Sequence, residues 1–477
     1  MRKTHLAALA VLWLCGAHAT DVVTGTNIRN ALAAPPSTTA NPYAGFGAPL
    51  DSWKVDASEP AEQSLSWPTF IHEVLEANLD YAAARYNVDM AAADAAAARL
   101  LPNPTLSLNG NRDLTFHDKI GIGNDGRPAR LRQVESKTYG LDEVIETGGK
   151  RKWRTKVADQ TLRAAAATLD DFLRNLKLDA ASAYADTLAA QDNVDRLRIA
   201  AGFLADLSRA QEHRYSAGDI GKPDLTQTRL EELQFSNDLR KAEADAEQAR
   251  FALSTFLGRN RGRTKFNVVG TLKLKPHSYD VDATISEMLK QRPDLVALRH
   301  ARDAATSGVQ LAKAARIPNV DLGLSYTHNG AVAINHPINP TPAFNALTLN
   351  VSVPIPLFDQ GQYGVRKAFA ASDQAETQLA SAELKAEVGL RTADAQYRAA
   401  LERVVKFQEN VLKSADELLA AKRYSYQRGA STLLELLDAQ RSANETRQAY
   451  ESALADAAQA LIELERASGI DQRIDFQ

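Results

Sequence analysis

Two stretches of the chain carry apolar residues at helical spacing over unusual lengths. No proline occurs between Arg130 and Lys222, or anywhere after Pro356, so the pattern predicts uninterrupted rods over about Thr155 to Arg214 and Val365 to Arg428. At 1.5 Å per residue each rod would be about 90 Å long, too long for a compact domain. One apolar seam of the first rod has steps of three and four residues: Leu169, Phe172, Leu173, Leu176, Ala180, Ala183 and Tyr184.

Each predicted rod turns at a Tyr-x-x-Gly sequence and returns as a second helix, Asp224 to Leu257 in the first half and Leu433 to Ala467 in the second. Shorter helices, about Thr69 to Leu101 and Asp294 to Arg316, precede strand-like runs. Coiled-coil scaffold proteins show the same periodicity. The helices alone therefore leave the function open.

Four strand-like runs alternate apolar and polar residues. Asn319–Thr327 and Leu347–Val353 alternate strictly, whereas Thr105–Asn109 and Thr138–Val144 do so more weakly. Runs of this length with one apolar face are typical of strands in an outer-membrane barrel. A soluble sheet packed on helices uses the same alternation, but the long helices leave no second element of matching size to cover the apolar face.

Four strands cannot close a barrel, and an open strand edge in lipid leaves backbone groups unpaired at a cost of several kcal/mol each. Three chains would supply twelve strands and a polar lumen. The pattern therefore predicts a mainly α fold with a membrane β-barrel, trimeric and twelve-stranded, to which each chain contributes four strands. The polar connections, 111–136 and 328–344, would face outside.

The chain also repeats one plan at an offset of about 211 to 214 residues. Tyr215-Ser-Ala-Gly218 aligns with Tyr426-Gln-Arg-Gly429, and Leu257-Gly258 aligns with Ser468-Gly469. Chance similarity between alanine-rich helices does not explain coincident Tyr-x-x-Gly turns. An internal duplication is therefore predicted.

Composition and the N-terminal residues indicate where the protein is located. A net charge of -3 and a pI near 6.3 give no electrostatic footprint for nucleic acid. Residues 1–19 combine a basic start, an apolar run and Ala17-His18-Ala19, the three parts of a secretory signal peptide. Lipid attachment at Cys15 is the alternative. No later run of 18 apolar residues predicts a membrane-spanning helix.

These signals divide the chain into five parts. A signal peptide (1–19) and an extended arm rich in proline and glycine (20–66) precede a first repeat (67–268). A linker (269–280) leads to a second repeat with a C-terminal tail (281–477). The first repeat is predicted to hold strands 105–112 and 136–146 and a helix pair over 150–258; the second holds strands 319–328 and 345–354 and a helix pair over 363–468.

Three motifs in this order resemble a known family: Glu146-Thr-Gly-Gly-Lys-Arg151 followed by Arg154, then Pro354-Ile-Pro-Leu-Phe-Asp-Gln360, then Tyr426-Gln-Arg-Gly429 leading into Leu433–Arg441. Together they resemble the outer membrane factors of tripartite efflux systems, the TolC-like family. The Gly-Gly-Lys-Arg turn is most similar to the cobalt-zinc-cadmium resistance branch. The resemblance extends from about Ser66 to Gly469.

The resemblance implies a homotrimer whose outer-membrane barrel continues into a long periplasmic α-helical barrel. It also implies three partners: a periplasmic adaptor, a proton-driven inner-membrane pump of the RND type, and outer-membrane lipid. Such a protein is a passive export duct. Its cargo stays open between metal cations, with heavy metals favoured, and drugs or other organic molecules. A periplasmic coiled-coil scaffold or adaptor without a channel is the alternative function.

In the resembled family the periplasmic end narrows to an aperture lined by acidic residues. The matching positions are Glu435 and Asp438, with Asp224 and Gln227 as first-half counterparts; spacing of three places Glu435 and Asp438 on one helix face. Threefold symmetry would make carboxylate rings that select cations or gate the channel electrostatically. An ordinary helix terminus, where acids offset the dipole, is the alternative reading.

The turns beside these residues are candidate contacts. Tyr215 and Tyr426 would tether neighbouring helices or pack in a core, and the turns match the adaptor-docking surface of the family: Gly218, Asp219, Gly429, Ala430 and Ser431. Gly218 and Gly429 would permit the left-handed backbone of a helix end.

At the other end of the rods, Gly148 and Gly149 would let a strand bend sharply into a helix. Lys150, Arg151, Lys152 and Arg154 then lie where the barrel meets the periplasm, facing anionic headgroups or solvent.

The sequence contains no enzymatic motif. His72-Glu73-x-x-Glu76 lacks the second histidine of a zinc protease helix, and the glycines before Lys150 lack the spacing of a phosphate loop. The histidines are scattered. No catalytic residue, metal site or cofactor is predicted.

Overall fold

The computed structural model describes residues 63–112, 120–122, 128–130, 135–258, 266–270, 280–330 and 344–469. All of them belong to one unit that spans Ser58–Gln477. The predicted signal peptide with Cys15, residues 20–62 of the predicted arm, and most of the predicted linker lie outside the described residues.

The described helices follow the predicted plan with different bounds: α1 Trp67–Ala77, α2 Leu79–Ala97, α3 Lys150–Ser216, α4 Lys222–Ser254, α5 Val281–Gln291, α6 Pro293–Ala315, α7 Gln362–Lys406, α8 Leu412–Gln427 and α9 Leu433–Ser468. A 3₁₀ turn, Thr255–Leu257, ends α4. None of these helices is both long and apolar enough to cross a bilayer.

The first rod is longer than predicted and continuous. Helix α3 has 67 residues, which corresponds to about 100 Å. It begins directly after Gly149, the residue that precedes its first turn and has a φ of 72°. In the apolar seam predicted from its sequence, Leu176, Ala180 and Tyr184 are buried, and the other four residues are half-buried: Leu169, Phe172, Leu173 and Ala183.

The second rod is not the single helix that the sequence predicted. A π-helical turn, Phe407–Val411, separates α7 from α8. The turn packs against α9, where the Phe407 ring lies 6.4 Å from the Tyr450 ring and Gln408 Nε2 donates to the Tyr450 hydroxyl at 2.7 Å. The spacing of apolar residues along one helix carries no information about such contacts with a neighbouring helix. It therefore does not predict the π-helical turn.

The predicted helix from Thr69 to Leu101 is also divided. Asn78 leaves the helical region with ψ at 121°, and its side-chain oxygen accepts from the Tyr81 amide at 2.8 Å. Asparagine favours the cap position because its short side chain can satisfy an otherwise unpaired N–H. The chain therefore ends α1 and starts α2 at this one residue.

A small parallel sheet beside the middle of α3 was not predicted. Strand β1, Gln63–Ser66, pairs with β6, Phe266–Val269. The last residues of the predicted extended arm are thus part of a sheet, because Leu65 and Phe266 are buried in a cluster around Tyr184. The Tyr184 hydroxyl shares its hydrogen bond between the carbonyl oxygens of Leu65 and Val269, at 3.0 and 2.7 Å. Strands of four residues carry too little alternation to be recognised.

The main sheet has four antiparallel strands in the order β2-β5-β7-β8. These are β2 Thr105–Arg112, β5 Glu135–Ile145, β7 Val320–Asn329 and β8 Phe344–Ser352. A short hairpin of β3, Ile120–Ile122, and β4, Pro128–Arg130, lies in the connection between β2 and β5. The four predicted strands are therefore neighbours in one sheet, with β2 and β8 at its edges.

The register places apolar side chains in continuous rows across one face of this sheet. Two such rows cross all four strands, and they comprise Leu106, Leu141, Leu324 and Leu349, then Leu108, Tyr139, Tyr326 and Leu347. Their exposed fractions range from 41% for Tyr326 to 72% for Leu347. Side chains of the intervening positions face the other way, and these are small or polar: Ser107, Gly140, Ser325 and Thr348, then Asn109, Thr138, Thr327 and Ala346. No helix of the described chain covers the apolar rows.

Candidate functional site

The two predicted turns at the far end of the rods have the same backbone geometry. Gly218 and Gly429 both have positive φ, 81° and 72°. After the first rod, Asp219 N donates to Arg214 O at 2.8 Å; after the second, Ala430 N donates to Ser425 O at 2.9 Å. Both are the six-to-one bond of a helix-ending Schellman motif. Glycine is required there because L residues with a Cβ are strained at this φ.

The two turn tyrosines lie in different surroundings. The Tyr426 hydroxyl accepts hydrogen bonds from Gln211 Nε2 and, at 2.9 Å, from Arg214 Nη1. Tyr426 on α8 is thereby tied to the end of α3. Tyr215 is 42% exposed. Tyr426 also packs, partly buried, against an apolar cluster that includes Leu419 and Leu436. Tyr426 thus makes contacts of both predicted kinds, and its role in holding an aperture shut stays a prediction.

Glu435 is held in place by a local network at the start of α9. Thr432 caps the helix by accepting from the Glu435 amide at 3.3 Å. Lys422 Nζ donates to the Glu435 carboxylate at 2.5 Å and Ser431 Oγ at 2.9 Å. The hydrogen bond from Lys422, followed by that from Ser431 and the charge of Lys422, lowers the pKa of Glu435 to about 2. Glu435 therefore carries its charge at any physiological pH, next to a compensating cation.

The other predicted aperture residues are less constrained. Asp438, one turn after Glu435, is exposed, and so is Asp224 in the first turn of α4. Gln227 is half-buried and lines a shallow cleft together with Leu230, Glu231 and Arg441. The structure thus brings Gln227 close to α9, where the sequence predicted only that it would be the first-half counterpart of Asp438.

An ion pair that the sequence did not reveal joins the two helix hairpins near this end. Arg441 on α9 pairs with Glu231 on α4, and the Glu231 side chain is only 9% exposed. Removing one partner of such a pair leaves a buried charge without compensation. The available signal was a charged residue, Glu231, within the apolar repeat of α4, between the buried Thr228 and Phe235.

A polar layer accompanies that ion pair inside the helix bundle. Ser208 and Gln211 on α3 and Gln440 and Asn444 on α9 are all buried, next to apolar clusters that include Leu204, Leu436 and Ala443. The helix packing near the turns therefore combines buried polar side chains with apolar clusters.

At the opposite end, the predicted strand-to-helix turn is closely fitted to its neighbours. Gly148 and Gly149 have φ of 68° and 72°. A Cβ on Gly148 would lie 2.9 Å from the Ala314 carbonyl oxygen, whereas one on Gly149 would meet nothing within 4 Å. Gly148 is thus required for both its φ and its close contact with α6.

The basic residues after this turn fall into two groups. Lys150 Nζ donates to Asn319, and Arg154 pairs with Glu146 and donates to the carbonyl oxygens of Ala98 and Leu100, both at 3.0 Å. These two side chains fasten the strand ends to the helices. Arg151 and Lys152 are exposed.

Within the described residues, no group of three or more histidine, cysteine or acidic side chains is arranged to hold a metal ion. The carboxylates near the turns lie at exposed helix starts and not in an enclosed cavity.

Comparison with known proteins agrees with this architecture. The family model described as "Outer membrane efflux protein" matches residues 70–259 and 284–470. The chain is 24% identical to the cobalt-zinc-cadmium resistance protein CzcC of Cupriavidus metallidurans, over 82% of this chain and 87% of the relative. It is 26% identical to the pyoverdine export outer membrane protein OpmQ of Pseudomonas putida, over 86% and 87%.

Among solved structures, the CmeC outer membrane channel of Campylobacter jejuni superposes with a TM-score of 0.70 at 17% identity, covering 84% of this chain and 85% of that one. The resemblance inferred from the three sequence motifs is thereby confirmed. The chain belongs to the outer membrane efflux protein family, the TolC-like channel proteins of the outer membrane.

Proposed function

We propose that this chain is the outer-membrane duct of a tripartite efflux pump and that it acts as a passive homotrimer. The observation that carries the proposal is the four-stranded sheet, whose apolar rows are exposed on one face while the other face is small and polar. Water disfavours such a surface, whereas the hydrocarbon of a bilayer accepts it.

The edges of the sheet support self-association. Strands β2 and β8 each pair on one side only, and lipid offers no partner for the free backbone groups on the other side. Edge-to-edge pairing of β2 from one chain with β8 from the next would satisfy both. Three copies give a closed barrel of twelve strands with the polar face inside, continuous with a periplasmic α-helical barrel formed by the rods.

The predicted repeats are part of the same proposal. The family model matches two consecutive segments, and the two far turns share one hydrogen-bonding pattern at equivalent positions. Both facts support an internal duplication. In a trimer, duplication would make the tunnel nearly sixfold at the level of the helix hairpins.

The turns at the far end are proposed as the docking surface for a periplasmic adaptor, itself fed by an RND-type inner-membrane pump. They lie a full rod length from the sheet, and the residues that contact the adaptor would be Gly218, Asp219, Gly429, Ala430 and Ser431. Beside them, Glu435, Asp438, Asp224 and Gln227 would line a periplasmic aperture, and the contacts of Tyr426 with Gln211 and Arg214 would hold it narrow.

The proposed cargo is a heavy-metal cation. A relative described as a cobalt-zinc-cadmium resistance protein supports it, and a duct needs no binding site for what it passes. A deletion strain challenged with zinc, cobalt, cadmium and copper should show lowered tolerance to at least one of them and unchanged tolerance to a drug panel. Sensitivity confined to drugs would contradict a metal cargo and indicate an organic one. An organic cargo has a precedent in OpmQ, which is described as a pyoverdine export protein.

The duct itself is tested by three properties of the purified protein. It should stay in the outer-membrane fraction after salt washing, have three times the mass of one mature chain by native mass spectrometry, and conduct ions in planar bilayers. A monomer recovered from a soluble periplasmic extract would instead support the coiled-coil scaffold.

A further inference from the structure

Basic residues are concentrated where the strands of the main sheet become helices. Three segments meet there, 146–159, 313–317 and 354–369, and they contain nine lysine or arginine residues but three acidic ones, in a chain of net charge -3. We call these three segments the junction belt. Its charge is therefore opposite in sign to that of the whole chain.

Short contacts join the three segments of the junction belt. The Thr147 hydroxyl donates to the Pro318 carbonyl oxygen, next to the second segment. Arg316 Nε donates to the Gln360 carbonyl oxygen at 3.0 Å. Lys313 Nζ lies 5.1 Å from the centre of the Phe369 ring. These contacts join the three segments of the junction belt into one region.

The acidic residues of the belt are already engaged within the chain. Glu146 pairs with Arg154, Asp159 pairs with Arg99 at 2.9 Å, and Asp359 accepts from the Gly361 amide at 2.8 Å. The exposed cations, by contrast, lie near the starts of α3 and α7 and at the end of α6: Arg151, Lys152, Lys156, Lys313, Arg366 and Lys367. Asp359 is the one exposed acid of the belt, and the exposed cations outnumber it, so the accessible charge is positive in sum.

Aromatic and aliphatic side chains alternate with these cations. The Trp153 ring has Lys152 Nζ at 5.5 Å and Lys156 Nζ at 5.4 Å from its centre. In the third segment, Ile355 is 77% exposed and Phe358 is 95% exposed. Tryptophan and lysine together are typical of the level where hydrocarbon gives way to headgroups.

We propose that the junction belt binds anionic phospholipid headgroups of the leaflet that faces the helical tunnel. This inference rests on the proposed function, because it requires the main sheet to lie in the membrane. A phospholipid fits better than a soluble anion because the cations are flanked by exposed apolar side chains, and these continue the apolar face of the sheet. Phosphate would contact Lys152, Lys156 and Lys313, while acyl chains would contact the apolar residues.

The test compares lipid selectivity in nanodiscs made from equal parts of phosphatidylglycerol and phosphatidylcholine. Native mass spectrometry counts the lipids that stay bound to the released protein. The wild type should retain phosphatidylglycerol preferentially. The variant Lys152→Gln/Lys156→Gln should lose most of this preference, since each basic residue near an anionic surface contributes roughly fivefold in affinity. The matched control Lys241→Gln/Lys385→Gln removes two exposed cations from the rods and should keep it.

Tryptophan fluorescence gives a second readout. Trp153 is the tryptophan of the belt, and subtracting the signal of Trp153→Phe isolates it from Trp53 and Trp67. Its emission should be quenched more by brominated phosphatidylglycerol than by brominated phosphatidylcholine. Equal quenching and equal lipid counts in an inserted protein would overturn the junction belt proposal alone. Failure of the protein to insert in any nanodisc would contradict the proposed function.

Discussion

Gly148 and Gly149 are adjacent and have nearly equal φ, yet they differ in what surrounds them. Alanine at Gly149 would cost about 1 kcal/mol for the left-handed backbone alone, because nothing lies within 4 Å of the added methyl group. Alanine at Gly148 would also press on the Ala314 carbonyl oxygen at 2.9 Å, for a total of about 3 kcal/mol. Melting temperatures of the purified variants should therefore fall more for Gly148→Ala. Equal losses would contradict the close fit of this turn to α6.

Glu435 should give the turn a distinctive pH dependence. Its pKa falls from 4.5 in the unfolded chain to about 2 in the folded one. The carboxylate therefore stabilises the folded state fully above about pH 4.5, and the contribution disappears as the pH falls towards 2. The melting-temperature difference between the wild type and Glu435→Gln should be constant from pH 7 to pH 5 and shrink below pH 4.5. A difference that already shrinks between pH 7 and pH 5 would contradict the network around Glu435.

Single residues were predictable from the sequence where local backbone geometry decides their role. The positive φ at Gly218 and Gly429 matches the prediction, because a helix end requires that conformation. Roles that depend on distant partners were not predictable. Glu231 and Arg441 are 210 residues apart, and Lys150 contacts Asn319 across 169 residues. No spacing rule connects such pairs before the fold is known.

At the level of elements, the main sheet gives a matched pair of substitutions. Leu347 lies in an apolar row, and its neighbour Thr348 lies on the opposite face. Leu347→Arg would place a charge towards hydrocarbon and cost about 2 to 4 kcal/mol near the membrane midplane, whereas Thr348→Arg would face the lumen at little cost. The amount of folded protein in the outer membrane should fall for Leu347→Arg only. Equal losses for both variants would argue against a membrane-facing sheet.

Elements with a long, regular pattern were predicted, and short or irregular ones were not. The alternation over ten residues of β7 and the seam of α3 each repeat often enough to be recognised. Strands β1 and β6 have four residues each, and they form because Tyr184 fixes both. The π-turn contacts Tyr450 of α9, a residue distant in the sequence, and the break at Asn78 is marked by a single cap residue.

The proposed aperture belongs to the scale of the whole assembly, because its rings exist only when chains combine. Lys422 offsets the charge of Glu435 at 2.5 Å, whereas Asp438 is exposed. Asp438→Asn should therefore lower cation selectivity, measured as the reversal potential in a salt gradient across a planar bilayer, more than Glu435→Gln does. A larger effect of Glu435→Gln would contradict this assignment, and no effect of either would remove both residues from the pore.

The proposed trimer rests on one feature of the single chain: its sheet has too few strands to close a barrel. The alternation predicted four strands with one apolar face, and the structure arranges those strands as a sheet with two open edges. The alternation of residues along a strand does not indicate which strand of which chain pairs with these edges. The trimer is therefore a proposal that follows from the edges.

Edge pairing between chains can be measured directly by cysteine cross-linking. The chain has one cysteine, Cys15, and it lies within the predicted signal peptide. Disulfides in the mature protein would therefore form only between introduced cysteines. Ser107→Cys on β2 would be combined in turn with cysteine at Ala346, Thr348, Asn350 and Ser352 on β8, which face the same side of the sheet as Ser107, and the protein would be oxidised in isolated outer membranes. The account predicts that at least one combination gives covalent dimers and trimers without larger products, as a closed ring requires. Monomers in every combination, or an open ladder beyond the trimer, would contradict a barrel built from three chains.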